Sequence, residues 1–501
     1  MVMTRNKINK LKVAIYDVGS SIYPKFPFHP YRRYPEYTFG DLSSEHNNVY
    51  DAVRNLFREL GYDRKNFGKI TWNPLGELIK PGMKVIIKPN FVLSFNANGK
   101  DIYSVITHPS VIRAVADYCL IALKGKGKLT IADAPQYNCN FTDLLEITQL
   151  DKVVDYLKSK STVDIRIIDL RNYWATKHHF PSCTKKLSGD PEGKVVVNLG
   201  KDSQLYGLKN YKRFYGAVYD RNETIEHHTG NNQSYEISKT ILNSDVFISI
   251  PKMKVHKKVG VTLNLKNLVG ICTNKNYIVH YAIGTPSEGG DQFPNDYLTP
   301  TQAKVIKFER WMYDTFLSSR TLLGEYIHRL IYGFLYLKIF SHFGLAIPKD
   351  VRRKDAGNWP GNDTAWRMVV DLGKIILFSD KNGKIHKRQQ RKTFSIVDGI
   401  VGGEKYGPLD PDPKKSGVLV AGENFLFVDL VSSRLMGFDP NKIKQYSSLQ
   451  NRINYGLKNI KNITIISNFR KHKSALLNNK DRFYNYRSYP GWENININDK
   501  L

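Results

Sequence analysis

Short apolar runs alternate with stretches of helical spacing along most of this chain. Lys12–Asp17 reads as a strand, and so does Val85–Lys88, which stops at Pro89-Asn90. Between them, Asn48–Leu60 sets Val49, Val53, Leu56, Phe57 and Leu60 on one face and ends at Gly61, the pattern of an amphipathic helix. Ser110–Leu123 reads as a helix after Pro109, and Lys128–Ala132 as a strand closed by Asp133-Ala134-Pro135. Ser244–Ile250 is short, apolar and β-branched, as a buried strand requires. Later elements are Lys374–Ser379, Thr393–Val397, Gly417–Ala421, the helix Phe427–Met436 and the strand Asn462–Ser467. Strands alternating with helices predict βαβ units, so the expected fold class is α/β with mostly parallel sheets.

This pattern divides the chain into an N-terminal α/β domain over 1–236 and a second α/β domain over 237–440, with a cleft between them. A helical insertion is expected at about 301–347, and a basic extension over 441–501 whose last twenty residues are loosely held. Residues 331–347 are strongly apolar, but the run is short for a membrane span and Lys338 interrupts it. A lid packed on its own domain is the first reading, and an interfacial membrane helix the second.

Charge narrows the class of partner. The chain carries +29 at pH 7, which favours anionic small molecules or sugars, or a membrane surface. Nucleic acid is not expected, because the charge is spread evenly and no Arg-rich arm or RNP-like motif occurs. Cys119, Cys139, Cys183 and Cys272 show no C-x-x-C spacing, so neither a disulfide framework nor an iron–sulfur cluster is expected. No apolar h-region precedes Lys12, which points to the cytoplasm, or to the inner face of a membrane if the surface contact is real.

Candidate chemistry clusters just past strand ends, where open α/β sheets place their ligands. Lys88 and Asn90 follow one strand, and Lys252 and His256 follow Ser244–Ile250, with Lys266, Asn267 and His280 beyond. Lys257 and Lys258 read as a solvated basic loop. His108 stands at a helix N-terminus, where the positive end disfavours imidazolium and suits a neutral base, although a capping histidine fits the same spacing. Asn362, Asp363 and Arg367 converge beside Trp359 and Trp366, and Arg367 can hold a carboxylate or phosphate in bidentate fashion. The same stretch also reads as a capped helix with core tryptophans.

Taken in order, Lys88-Pro89-Asn90, Thr107-His108-Pro109, Asp133-Ala134-Pro135, Pro251–His256, Thr262–Gly270, Gly289–Pro294, Gly357–Arg367, Asp398–Pro408 and Leu435–Pro440 resemble the prokaryotic family labelled domain of unknown function 362. His108, His256, Lys266 and His280 also follow the order of the functional residues of the nickel-pincer lactate racemase family, to which this chain is distantly similar. That resemblance implies a racemase- or epimerase-like enzyme acting on an anionic hydroxylated substrate. In it His108 and His256 are the acid/base pair, Lys266 and Asn267 hold a metal–nucleotide cofactor, and His280 ligates nickel or another divalent metal. Lys88, Asn90, Lys252, Asn362, Asp363 and Arg367 then bind the anion. The chain departs from the racemase pattern at Thr262-Leu263-Asn264-Leu265, where that family has a glycine-rich run. Two other roles stay open: a non-catalytic membrane-surface protein of an envelope or polysaccharide pathway, and a redox-associated metal-binding protein.

Overall fold

The computed structural model describes residues 11–176, 180–217, 220–317, 321–334, 338, 342, 344–449, 463–474 and 483–497. Its centre is a twisted, mostly parallel sheet. The strands are β1 (Lys12–Asp17), β2 (Lys84–Pro89), β3 (Lys128–Asp133), β4 (Asp164–Asp169), β5 (Val246–Ile250), β6 (Lys252–His256), β7 (Lys392–Glu404), β8 (Asp412–Gly422) and β9 (Thr464–Ser467). Across the sheet they run β9-β1-β8-β7-β5-β2-β3-β4, and β6 pairs with the far end of β7. Strands from both sides of residue 236 share this one sheet, since β5 pairs in parallel with β2 through Val246↔Val85 and Ile248↔Ile87. The α/β expectation therefore holds in a single continuous sheet.

Alternation along the strands explains the two cores. Val85 and Ile87 join the apolar cluster that takes in Asn48–Leu60 (α1), Pro109–Leu123 (α2) and Leu150–Lys160 (α3), while Ile86 points into the other. That second cluster packs Ala365–Phe378 (α4) and Phe425–Met436 (α5) on the opposite face. Helices on both faces leave the inner strands with no wet side, which is why β5 is buried throughout and apolar but for Ser249. Lys374–Ser379, expected as an element of its own, is the last part of α4 with its C-cap Ser379.

The tail is anchored. β9 lies on the sheet edge beside β1, and Tyr486, Tyr489, Trp492 and Ile495 are buried in the core, with Trp492 Nε1 donating to the Lys257 carbonyl at 2.8 Å. Burial of that much aromatic surface holds residues 483–497 in place, contrary to the loose tail expected from composition. Asn462, the expected start of β9, lies outside the described residues.

The insertion forms helices at Pro300–Met312 and Leu322–Ile331, joined in part by the turn Tyr313–Leu317. Val305 and Ile306 pack with Phe293 and Ile347, so its base is fastened to the body. Trp311, Leu322, Leu323, Tyr326, Leu330 and Phe334 are more than half exposed, with values of 53–68%. Much of the apolar run 331–347 lies outside the described residues.

Candidate functional site

Parallel strands β2, β3 and β5 end at the same edge of the sheet, and there Lys88, Asp133 and the chain after Ile250 come together. Lys88 Nζ donates to Asp133 Oδ1 at 2.8 Å, to Asn267 Oδ1 at 2.9 Å and to the Pro89 carbonyl at 2.9 Å. Asn90 Nδ2 reaches the same Asn267 oxygen at 3.1 Å, and Asp133 Oδ2 accepts the Phe91 N–H at 2.7 Å. Gly270 is required above this knot: a Cβ there would stand 1.9 Å from Asp133 Oδ1 and 2.5 Å from Lys88 Nζ.

The segment carrying Lys266 and Asn267 is one helical turn, Asn264–Asn267, and its position is held by Asp429 on α5. Asp429 accepts the backbone N–H groups of Asn264 at 2.8 Å and Leu265 at 3.0 Å, and the Asn264 side-chain amide at 2.8 Å. Burial pushes the Asp429 carboxyl up to about 7. Just before the turn, Leu263 has φ 60° and ψ −161°, a backbone region open essentially to glycine alone.

Lys88, Asn90, Asp133, Lys266, Asn267 and Gly270 border a cavity of about 390 Å³. Among the described residues its lining includes Lys88, Lys254, Lys257, Lys258, Lys266, Lys275 and Arg310, against one carboxylate, Asp133. Lys88 is neutralised by Asp133, and Arg310 pairs with Asp355 at 2.9 Å. Among the described residues Lys254 and Lys275 donate only to backbone carbonyls, Lys254 to Val105 and Pro408 and Lys275 to Ala134, Val269 and Cys272. Lys258 donates to the Ala356 carbonyl. Burial lowers the proton affinity of Lys254 and Lys258 well below the ordinary range, with neighbouring ammonium groups adding to the effect. Lys275 falls to about 8 and Lys266 to about 7, chiefly by burial, with the Lys275 charge the next cause acting on Lys266. An anion entering the cavity reverses both causes, since it satisfies the amines and cancels their repulsion.

His256 and His280 line the same space. Burial first, then Lys266, holds both rings far below their usual pKa, so both are neutral. His256 Nδ1 accepts the Lys258 backbone N–H at 3.1 Å, which leaves the proton of the neutral ring on Nε2 and makes His256 a hydrogen-bond donor. His280 Nδ1 is buried without a hydrogen-bond partner among the described residues. The protein's own donors among the described residues are too few here to hold a bare divalent metal. No group of three or more His, Cys, Asp or Glu is placed to hold an ion among the described residues, and the charges that act on His280 are those of Lys266, Lys258 and Lys275.

Of the residues expected from sequence, Lys88, Asn90, His256, Lys266, Asn267 and His280 meet in this cavity. His108 does not line it. Its ring stacks on Tyr23 at 3.8 Å, its Nδ1 accepts the Ser110 N–H at 3.1 Å, and its backbone N–H donates to Asp398 Oδ2 at 3.0 Å. The capping account of Thr107-His108-Pro109 is the one realised, and the expected His108–His256 pair is not assembled in the cavity. Lys252 lies in that same neighbouring cluster, fully buried against Asp398 at 2.6 Å, with no free charge for a ligand. Arg367 turns back on Asp363 at 2.6 Å, four residues earlier and just ahead of its helix, and donates to the Gln204 carbonyl at 3.1 Å. Asn362 serves the site indirectly: its Nδ2 holds the His280 carbonyl at 3.0 Å while its Oδ1 caps α4.

Sequence reading missed Lys254, Lys258, Lys275, Arg310 and Asp429. Lys257 and Lys258, read as a solvated loop, line the cavity, and Lys258 is only 9% exposed. The available signal was the strand Lys252–His256 itself: a strand buried on both faces must bury its lysines as well.

An α/β protein with a cation-rich cavity at the carboxyl ends of its strands is what fold and site define. The chain belongs to the family described as Domain of unknown function (DUF362), which matches over residues 85–184 and 150–434. It is similar to the thylakoid-associated protein sll1697 of Synechocystis sp. (strain ATCC 27184 / PCC 6803 / Kazusa), with 23% identity over 369 residues, 74% of this chain and 68% of that protein.

Proposed function

We propose that the chain is an isomerase-like enzyme that binds an anionic, hydroxylated small molecule in the cavity and moves a proton on it with its two neutral histidines. The observation that carries this reading is the excess of buried amines over carboxylates in the lining. His256 presents an Nε2–H to a substrate oxygen and stabilises charge developing there, while His280 takes the carbon-bound proton. A neutral imidazole is the right donor for that task because it gives a hydrogen bond without surrendering a full charge. The test is solvent deuterium exchange into a panel of hydroxy acids and sugar phosphates, followed by NMR. Exchange into at least one anionic compound, lost in His280→Gln while sulfate binding persists, is the expected result. Absence of sulfate binding by calorimetry rejects the reading at its root.

A second reading, attachment to a membrane surface, has its own support. The relative from Synechocystis is called thylakoid-associated, and the insertion leaves a row of apolar side chains uncovered. No helix among the described residues is long and apolar enough to cross a membrane, so any attachment by them is peripheral.

A further inference from the structure

Lys266, like Lys257, differs from most amines of the cavity in having nothing to hold among the described residues, and it alone of the two sits on the Asn264–Asn267 turn. Lys88 has Asp133, and Lys254, Lys258 and Lys275 donate to backbone carbonyls. Lys266 Nζ has neither a hydrogen-bond nor an ion-pair partner among the described residues, although the residue is only 8% exposed. Its backbone, in contrast, is tightly held: Asp429 caps its turn, Ser395 Oγ donates to Asn264 Oδ1 at 2.8 Å, and the unfavourable Leu263 conformation sets the approach. Such strain persists only where the surroundings enforce it, and it gathers at functional sites. A fixed backbone aiming an unengaged amine into a cavity is the arrangement of a nucleophile.

We propose that Lys266 forms an imine with the carbonyl carbon of an anionic substrate, a 2-oxo acid or a phosphorylated hydroxy-aldehyde or hydroxy-ketone. The inference rests on the anion-binding reading above and names its substrate class. The neutral amine adds to the carbonyl carbon, forming the C–N bond. The two amine protons leave with the carbonyl oxygen as water, and His256 Nε2–H hydrogen-bonds that oxygen as it departs. No oxidant or reductant is consumed. Protonation of the imine nitrogen by solvent then acidifies the neighbouring C–H, which gives His280 a proton it can remove. Lys257, Lys258 and Lys275 remain to hold the carboxylate or phosphate.

Burial and the Lys275 charge support this chemistry by bringing Lys266 to about 7 from an ordinary 10.5. About half of the amine is then neutral at pH 7, against fewer than about one in a thousand for an exposed lysine.

The experiment is reductive trapping on the full-length protein. Glyoxylate (an anionic aldehyde) and acetaldehyde (a neutral one) are each incubated with it at pH 7 and cyanoborohydride, and adducts are located by peptide mass spectrometry. The expected result is a carboxymethyl adduct on Lys266 at early times, formed at least about tenfold faster than on exposed lysines such as Lys25 and slowed by pyrophosphate. Label spread over surface lysines with Lys266 unmodified overturns the proposal. Equal labelling of Lys266 by both aldehydes, insensitive to pyrophosphate, upholds the nucleophile and rejects the anion reading. Pyrophosphate binding without any Lys266 adduct does the reverse. Because trapping is read on the unaltered protein, a misfolded Lys266 variant cannot imitate failure, and Lys266→Arg serves as the unreactive control.

Discussion

Lys88 Nζ lies 2.8 Å from Asp133 Oδ1, and neither side chain reaches solvent by more than 2%. The pair joins the ends of two adjacent parallel strands, and the close approach of Gly270 covers it. Gly270→Ala is therefore expected to push the pair apart, since the new methyl would sit 1.9 Å from the carboxylate oxygen. Overpacking of this kind typically costs ~1–3 kcal/mol, and separation of a buried ion pair adds to it. A urea midpoint unchanged within error, at constant slope, would show that the knot yields without strain.

The free amine of Lys266 makes anion affinity depend on pH. Its folded value of about 7 is below the ordinary 10.5, so between those limits the unfolded chain holds a proton that the folded chain lacks. The unfolded state binding more protons means that this group's contribution to stability rises with pH across that window. Anion affinity runs the other way, because the ammonium is lost as pH climbs through 7. Sulfate keeps a fixed charge over this range and is the probe of choice. Its affinity should weaken between pH 6 and 8 in the parent, measured by calorimetry, and weaken less in Lys266→Met. Identical pH profiles for the two proteins would remove Lys266 from the anion site.

The fold class was legible because burial on both faces of a parallel sheet leaves a plain mark, the apolar runs at Val85–Ile87 and Val246–Ile250. That strands from both halves share one sheet was not legible, since pairing between Val246 and Val85 spans 161 positions and local pattern carries no register across that distance. In the site, residues on the strand ends and the Asn264–Asn267 turn were found because His and Lys embedded among apolar neighbours stand out. Asp429 was not, because one Asp inside an apolar helix looks like a surface residue until the helix is seen buried all round. His108 and Arg367 were misplaced for a common reason. A nearby partner in sequence, Ser110 for one and Asp363 for the other, satisfies each before any ligand does.

Arg367 supplies a sharp control for that reasoning. Its guanidinium is engaged by Asp363 and by the Gln204 carbonyl and lies over the Trp366 ring, with its centre 4.5 Å from the ring centroid. Arg367→Lys should leave sulfate affinity unchanged within about twofold and alter stability by no more than ~0.5–1 kcal/mol, since the pair is partly exposed. A large loss of affinity in a folded variant would return Arg367 to the anion site and require the helix to move.

The membrane reading makes a prediction of its own. Leu322, Tyr326 and Leu330 repeat at i, i+4 and i+8, Leu323 and Phe334 border them, and all five are more than half exposed. Between residues 301 and 354 the chain has ten Lys and Arg against four Asp and Glu, so the surroundings of this face are cationic. An apolar face on a cationic support suits the headgroup region of an anionic bilayer. The protein should sediment with vesicles containing phosphatidylglycerol, sediment less with phosphatidylcholine alone, and be released as salt rises. Leu323→Glu with Leu330→Glu, both on exposed positions that leave the core untouched, should lower vesicle affinity by at least about tenfold, given ~1.5–3 kcal/mol for each fully buried leucine. Binding equal in parent and double variant would assign the attraction to charge alone. Concentration-dependent doubling of mass that the double variant abolishes would instead identify the face as a contact between two copies of this chain.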